Sequence, residues 1–304
     1  MIMAGGTGGH VFPGLAVAEV LGARGVEVIW LGSAHGLENE WVPAAGLPLE
    51  RLAVSGLRGH GLAGWLAAPV RLARAVLQAG RIIKRHGPRS VLSLGGFAAG
   101  PGGIAARLRG VPLVVHEQNA VAGLTNRVLA RVAHRVLAGF SGALPGAEVV
   151  GNPVRANIAR LPAPTERFAG REGAPRLLVL GGSQGARRLN EVVPAALARM
   201  PAEARPVVRH QCGARHLDAA RAGYQAAVIE ADVMPFIEDM ADAYGWADLV
   251  VSRAGALTLA ELGAAGVGAV LVPFPFAVDD HQAVNAQGFV EAGAAAMVRE
   301  SALD

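Results

Sequence analysis

The sequence predicts an α/β protein built from two doubly wound, Rossmann-like domains facing a cleft. Three observations predict it. Short apolar runs of strand length alternate with helix-length segments along the whole chain, the pattern of parallel sheets covered by helices on both faces. A strand-like run enters a glycine cluster and then a helix twice over, at Gly5-Gly6-Thr7-Gly8-Gly9 and again at Gly181-Gly182-Ser183-Gln184-Gly185. Finally, 304 residues of which 52% are hydrophobic suffice to fill two cores.

Taken in order, Met1, Ile2 and Met3 form the first strand. The glycine cluster after it lets the backbone turn tightly and bring N–H groups close to an anion, with the positive end of the next helix behind them. That helix is predicted over residues 12–24, with Leu15, Val17, Ala18 and Leu21 on its buried side and Gly25 ending it. A strand at 26–31, a helix at 38–45 and a strand at 49–54 follow. Residues 61–86 form a long basic amphipathic segment, one surface helix or a helix pair, in which Trp65, Leu66, Val70 and Leu77 mix with Arg71, Arg74, Arg81, Lys84 and Arg85.

Residues 91–94 form a strand entering Gly95-Gly96, and Gly100-Pro101-Gly102-Gly103 reads as the continuation of that loop ahead of a helix. A short strand at 113–115 delivers His116-Glu117-Gln118-Asn119 at its carboxyl end, and 124–133 is helical. The VVGNPVR stretch at 149–155 and the Pro- and charge-rich residues 161–172 mark a junction, giving domains 1–155 and 156–304. In the second domain, strands at 176–180, 207–210, 226–229, 249–252 and 269–272 alternate with helices, the first over 186–200. Ligands of such sheets lie beyond the carboxyl ends of the strands, which is where the glycine clusters fall.

Composition narrows the function. The longest uncharged apolar run, 262–278, is shorter than the roughly 20 residues of a spanning helix and is interrupted by Pro273 and Pro275. No charged-then-apolar start with a cleavage site is visible, which predicts a cytoplasmic chain. The single cysteine, Cys212, excludes an intrachain disulfide. Residues 1–160 carry 16 Lys and Arg against 7 Asp and Glu, a net of +9, whereas 161–304 carry 12 against 17, a net of −5. With few aromatics and no nucleic-acid motif, the basic half points to phosphate or anionic lipid and not to nucleic acid. A nicotinamide-dependent reading needs an acid closing the second strand to hold ribose, and that strand runs into Gly32-Ser33.

Seven motifs then occur in order: GGTGGH, LGG followed by GPGG, HEQN followed by AGLTNR, GNPVR, GGSQGAR, SRAGALTLAE, and DDHQ followed by NA. Each alone is weak, but the ordered set resembles the MurG family of bacterial glycosyltransferases over nearly the whole chain. The resemblance implies a GT-B architecture and inverting transfer of N-acetylglucosamine from UDP-N-acetylglucosamine to the muramyl 4-hydroxyl of an undecaprenyl-linked muramyl pentapeptide. It implies peripheral attachment to an anionic membrane surface, on the cytoplasmic face of the bacterial membrane. UDP-N-acetylglucosamine is a co-substrate, and no further cofactor is expected. The absence of an Asp-x-Asp pair agrees with metal-independent chemistry, in which N–H dipoles stabilise the leaving group.

Carried over residue by residue, the resemblance implies that Glu261 accepts the ribose hydroxyls and that Ile237 meets uracil through its backbone. Ala256, Leu257, Thr258, Leu259 and Ala260 lie along the sugar and phosphates, Ser183 serves phosphate or caps its helix, and Gln282 reads sugar hydroxyls. Thr7, Gly8 and Gly9 complete the first-domain side, while Asn119 and Arg155 enclose donor or acceptor, Arg155 alternatively clamping the junction. Two residues compete as the base: His10, whose neutral imidazole takes a proton near neutral pH, and Glu117, which otherwise orients its neighbours. Phe97 stands where the family commonly has Tyr, and the resemblance implies a longer lead-in before Met1 and a further stretch beyond Asp304. Another UDP-sugar transferase or an epimerase, and an inactive nucleotide-binding module, are the alternative readings.

Overall fold

A computed structural model of the chain describes residues 1–53, 62–182 and 185–303, the side chains of 62–67 and of Val278 excepted. The expectations for Ser183, Trp65 and Leu66 lie outside what is described. The chain divides into two compact units, Met1–Pro153 and Val154–Asp304.

The first unit runs β1 (Ile2–Ala4), α1 (Gly8–Ala23), β2 (Trp30–Ser33), α2 (Glu38–Ala44), β3 (Leu49–Leu52), α3 (Leu62–His86), β4 (Val91–Gly95), α4 (Ala99–Leu108), β5 (Leu113–Glu117), α5 (Leu124–Ala130), β6 (Arg135–Ala138) and β7 (Glu148–Val149). Its strands form one sheet in the order β3-β2-β1-β4-β5-β6-β7, and every pair is parallel. Alternate strand residues feed two cores. Ile2, Trp30 and Leu94 pack toward α1 and α2, while Met3, Leu31 and Leu113 pack with Ile83 of α3 and Ala105 of α4. Strands buried on both faces read as continuous apolar runs, which is why β1, β4 and β5 were legible.

The second unit runs α6 (Ala156–Ala159), α7 (Pro164–Arg167), β8 (Arg176–Leu180), α8 (Arg187–Ala198), β9 (Val207–Gln211), α9 (Leu217–Ala226), β10 (Ala231–Met234), α10 (Met240–Trp246), β11 (Leu249–Ser252), α11 (Ala256–Ala265), β12 (Gly268–Leu271), α12 (His281–Glu291) and β13 (Ala295–Met297). Its parallel sheet has the order β10-β9-β8-β11-β12-β13, the same path as the first six strands of the other sheet. In both units the strand order reverses beside the first strand, between β1 and β4 and between β8 and β11. That switch point is where doubly wound sheets hold ligands.

The structure corrects several sequence expectations. Helix α1 begins at Gly8, so Gly8, Gly9 and His10 form its first turn and are not a loop ahead of it. Gly100–Gly103 is helical, inside α4: a Cβ at Gly102 would collide with Met3, and one at Gly103 would come within 2.7 Å of Leu129. These glycines serve close helix packing, not a phosphate loop. The strand expected at 226–229 is instead the last residue of α9 and the turn that closes it, and β10 starts at Ala231. The second strand begins at Trp30, four residues late, because the start of the 26–31 run is irregular. Residues 62–86 form one helix, α3, in spite of Pro69.

Candidate active site

At the switch point of the first unit, Thr7 caps α1 in extended conformation, and no acidic residue in the first turn offsets the helix's positive end. Thr7 and Gly9 are exposed and Gly8 is half-buried. The glycine cluster is not an empty anion cradle, however. Gly6 N–H donates to Oε2 of the fully buried Glu38 (2.8 Å), whose Oε1 accepts from Ser33 N–H (2.9 Å) and Ser33 Oγ–H (2.6 Å). A Cβ at Gly5 or Gly36 would collide with that carboxylate, and one at Gly32 would crowd it. Glu38 therefore fills part of the cluster with a carboxyl group of the protein's own, and the amides of Gly8 and Gly9 are what the cluster still offers a ligand.

His10 sits where the end of β4 approaches this turn. Gly95 has φ +98°, and a Cβ there would stand 3.0 Å from His10 Cε1; a Cβ at Gly96 would collide with the Gly5 carbonyl. The glycine pair thus makes room for the imidazole and for the first loop. His10 Nδ1 lies 3.2 Å from Gln118 Oε1, Gln118 Nε2 lies 3.1 Å from His116 Nδ1 and 3.0 Å from the His116 carbonyl, and His116 Nε2 lies 2.9 Å from the Gly151 carbonyl. His116 is buried, and desolvation lowers its pKa against the opposing pull of the Gly151 bond and the Glu117 charge.

Glu117 is 1% exposed and its oxygens accept hydrogen bonds from Asn119 N–H (2.9 Å), Asn119 Nδ2 (3.3 Å), Gly123 N–H (3.2 Å) and Asn126 Nδ2 (2.9 Å), among others. A carboxyl group so enclosed is tied to the loop after β5, which fits the orienting one of its two open roles. Asn119 is tied into the same loop.

In the second unit, the carboxyl end of β11 leads through Gly255 into α11. Ala256 opens the helix and Leu257 and Thr258 complete its first turn, whose N–H groups have no intrahelical acceptor. Leu259 does not belong with them: its side chain is fully buried and its N–H is already bonded to the Gly255 carbonyl (3.0 Å). Ala260 is one position further into the helix. Glu261, on the next turn, accepts from Arg155 Nε (3.0 Å) and Nη2 (2.7 Å) at Oε1, and from Tyr244 O–H (3.1 Å) at Oε2. Ile237 is buried after β10, leaving its main chain as the part a ligand could meet. Gln282, the second residue of α12, accepts Phe274 N–H at Oε1 (2.9 Å), so its amide nitrogen is the group left for a ligand.

Two models of one family match the chain. The glycosyltransferase family 28 N-terminal domain covers residues 1–138 and its C-terminal domain covers residues 176–304. The chain belongs to glycosyltransferase family 28. The family 28 N-terminal match ends with the last residue of β6, and the C-terminal match starts with the first residue of β8. Relatives named UDP-N-acetylglucosamine--N-acetylmuramyl-(pentapeptide) pyrophosphoryl-undecaprenol N-acetylglucosamine transferase include one from Alkalilimnicola ehrlichii, 62% identical over 100% of this chain and 85% of its own length, and one from Xylella fastidiosa, 60% identical over 99% and 83%. The crystal structure of MurG from Acinetobacter baumannii matches with a TM-score of 0.86 at 42% identity, over 100% of this chain and 86% of that one. A kitacinnamycin glycosyltransferase matches at 17% identity and TM-score 0.68, over 99% and 86%, and shares the fold.

Within this family 28 chain the structure gathers His10, Thr7, Gly8 and Gly9 at the first switch point, with Glu117 at the end of β5 and Asn119 in the loop after it. It gathers Arg155 and Glu261, predicted separately, into one ion pair. Three functional neighbours were missed. Tyr244, one of only two tyrosines, is fully buried against Glu261, and burial followed by the Glu261 charge raises its pKa well above the ordinary value. Arg253 pairs with Glu300, donates to the Val272 and Pro273 carbonyls (3.2 and 3.3 Å) and covers the Phe274 ring at 5.5 Å, pinning the loop that Gln282 also binds. Glu38 is the third, visible in sequence only as an acid opening a helix.

Proposed function

We propose that the chain is an inverting N-acetylglucosaminyltransferase that moves N-acetylglucosamine from UDP-N-acetylglucosamine to the muramyl 4-hydroxyl of undecaprenyl-pyrophosphoryl-muramyl pentapeptide, at the cytoplasmic face of the bacterial membrane. The observation that carries this reading is the likeness, at 62% identity over all of this chain and 85% of its own length, to a relative named as an N-acetylglucosamine transferase acting on the muramyl-pentapeptide pyrophosphoryl-undecaprenol. The second unit holds the donor. Glu261 takes the ribose hydroxyls, held in place by Tyr244 and Arg155. Amides in the first turn of α11 and the Gln282 amide take pyrophosphate and sugar. The first unit takes the acceptor.

In the transfer step the acceptor oxygen attacks the anomeric carbon opposite the leaving group, and the bond from that carbon to the UDP oxygen breaks. The acceptor proton passes to His10 and UDP departs as the anion, stabilised by fixed N–H dipoles. Among the described residues no group of three or more His, Cys, Asp or Glu side chains is placed to hold a metal. The reading tested is transfer of labelled sugar to a short-chain lipid acceptor. Product is expected only with both substrates present, and His10→Ala should lower turnover about 100-fold or more while donor binding by calorimetry stays. Donor turnover without acceptor favours an epimerase, donor binding with no transfer favours an inactive nucleotide-binding module, and near-normal turnover of His10→Ala removes His10 from the step.

A further inference from the structure

The contacts of His10 settle more than its position, because two backbone carbonyls fix every proton in the chain of groups behind it. The Gly151 carbonyl can only accept, so the His116 nitrogen 2.9 Å away, Nε2, carries a proton and donates. Burial keeps His116 neutral, so its Nδ1 is a lone pair. The His116 carbonyl likewise can only accept, so the Gln118 atom 3.0 Å from it is the amide nitrogen and not the oxygen. That nitrogen has a second hydrogen, and the His116 Nδ1 lone pair lies 3.1 Å from it. The remaining Gln118 atom is a carbonyl oxygen, again acceptor only, and it faces His10 Nδ1 at 3.2 Å. His10 must therefore hold its proton on Nδ1.

We infer that Gln118 and His116 are positioning residues which hold His10 in its Nδ1–H tautomer, so that Nε2 presents the lone pair that receives the acceptor proton. The inference rests on the proposed role of His10 as base. A free imidazole has no such constraint, and a His10 protonated on Nε2 would offer the substrate hydroxyl a donor where it needs an acceptor. The far end of the relay is secured as well. Asn152 Nδ2 donates to the Gln118 carbonyl (2.9 Å) and Asn126 Nδ2 to the His116 carbonyl (3.2 Å), so the HEQN loop, α5 and the GNP turn at 151–153 all hold it. His10 Nε2 takes no hydrogen bond among the described residues, as a base awaiting a substrate requires. The arrangement serves the purpose that a buried aspartate serves behind the histidine of a serine protease, but with a neutral amide in the aspartate's place.

The test reads the tautomer directly. Two-bond proton–nitrogen spectra of the histidine rings, with His10 assigned by its loss in His10→Ala, should show Nδ1 protonated and Nε2 bare in the unmodified protein. In Gln118→Leu the His10 signal should shift toward the Nε2–H form, with kcat falling roughly 10- to 100-fold, the KM for UDP-N-acetylglucosamine within about twofold and the thermal transition retained. An Nε2–H tautomer in the unmodified protein overturns the inference, as does Gln118→Leu with unchanged tautomer and kcat. These spectra are independent of turnover, so an active His10→Ala would refute His10 as base while leaving the relay itself to be judged on its own signals.

Discussion

A second buried histidine in the chain obeys the same rule of carbonyl-fixed protons but serves stability. His210 on β9 is completely buried; Asn190 Nδ2 donates to the Cys212 carbonyl (3.0 Å), which turns Asn190 Oδ1 toward His210 Nε2 (3.0 Å), while Tyr224 O–H meets His210 Nδ1 (2.9 Å). Every polar atom of the neutral ring is paired, so a proton is unwelcome and burial pushes the His210 pKa down to about 4 from 6.5. The unfolded chain therefore binds more protons than the folded one between those two values, and stability falls as pH falls through that window. The loss amounts to on the order of 3 kcal/mol once pH is below about 4. His116, lowered by burial in the same way, adds to the slope. Urea midpoints measured across the window should decline in the unmodified protein and decline less in His210→Gln, which has no proton to gain; equal slopes would show that His210 titrates normally. None of these pairings was legible in the sequence, because they join residues 14 and 20 positions apart on the same sheet and helices. The same holds for Gln118 behind His10, 108 positions away.

At the scale of the element, the sequence was read well where pattern and environment agree. Residues 176–180 and 249–252 are apolar runs, the first ending at a glycine pair and the second leading into the RAG turn, and β8 and β11 occupy those residues. It was read poorly where tertiary contact overrides local preference. Glycines at 102 and 103 look like a loop but pack α4 against β1 and α5, and the edge strands β7 and β13 are too short and mixed to leave a pattern. The misplaced strand at 226–229 has a further lesson. That apolar run is the last residue of α9 and the turn that closes it, where Val228 follows the C-cap in the left-handed region (φ 54°) and Ile229 N–H reaches back to the Tyr224 carbonyl (3.1 Å). This is the position where glycine usually closes a helix, and a β-branched residue there is strained. Val228 is 82% exposed, so its side chain contributes little packing. Val228→Gly should raise stability by about 1 kcal/mol, the relief of strain exceeding the added freedom of the unfolded chain. A lower thermal midpoint in the variant would mean the valine makes a contact that outweighs its strain.

Across the whole molecule, charge is divided as the chain is. Residues 1–153 carry 14 Lys and Arg against 7 Asp and Glu, and the remaining residues carry 14 against 17. Helix α3 concentrates part of that excess. Its buried side, Ala75, Ala79, Ile82 and Ile83, packs on the sheet, while Val70, Arg74, Leu77, Arg81 and Lys84 are exposed at alternating spacings of four and three, which places them on one stripe. Among the described residues no helix is long and apolar enough to cross a membrane. A stripe of basic residues with two apolar side chains instead suits a helix lying on an anionic surface, where each cation contributes about 1 kcal/mol and the apolar groups enter the headgroup boundary. We propose that this stripe brings the first unit to the membrane that carries its lipid-linked acceptor. The protein should co-sediment with vesicles containing acidic phospholipid, less so as salt shortens the electrostatic range, and not with zwitterionic vesicles. Reversing Arg74, Arg81 and Lys84 to glutamate removes at least three such attractions and should lower partitioning by roughly 100-fold or more. Transfer to a short-chain, water-soluble acceptor should survive the same substitutions, because none of the three lies at the active site. Vesicle binding that the reversals leave unchanged would assign the stripe to ordinary solvent exposure and send the search for a membrane contact to another face of the first unit.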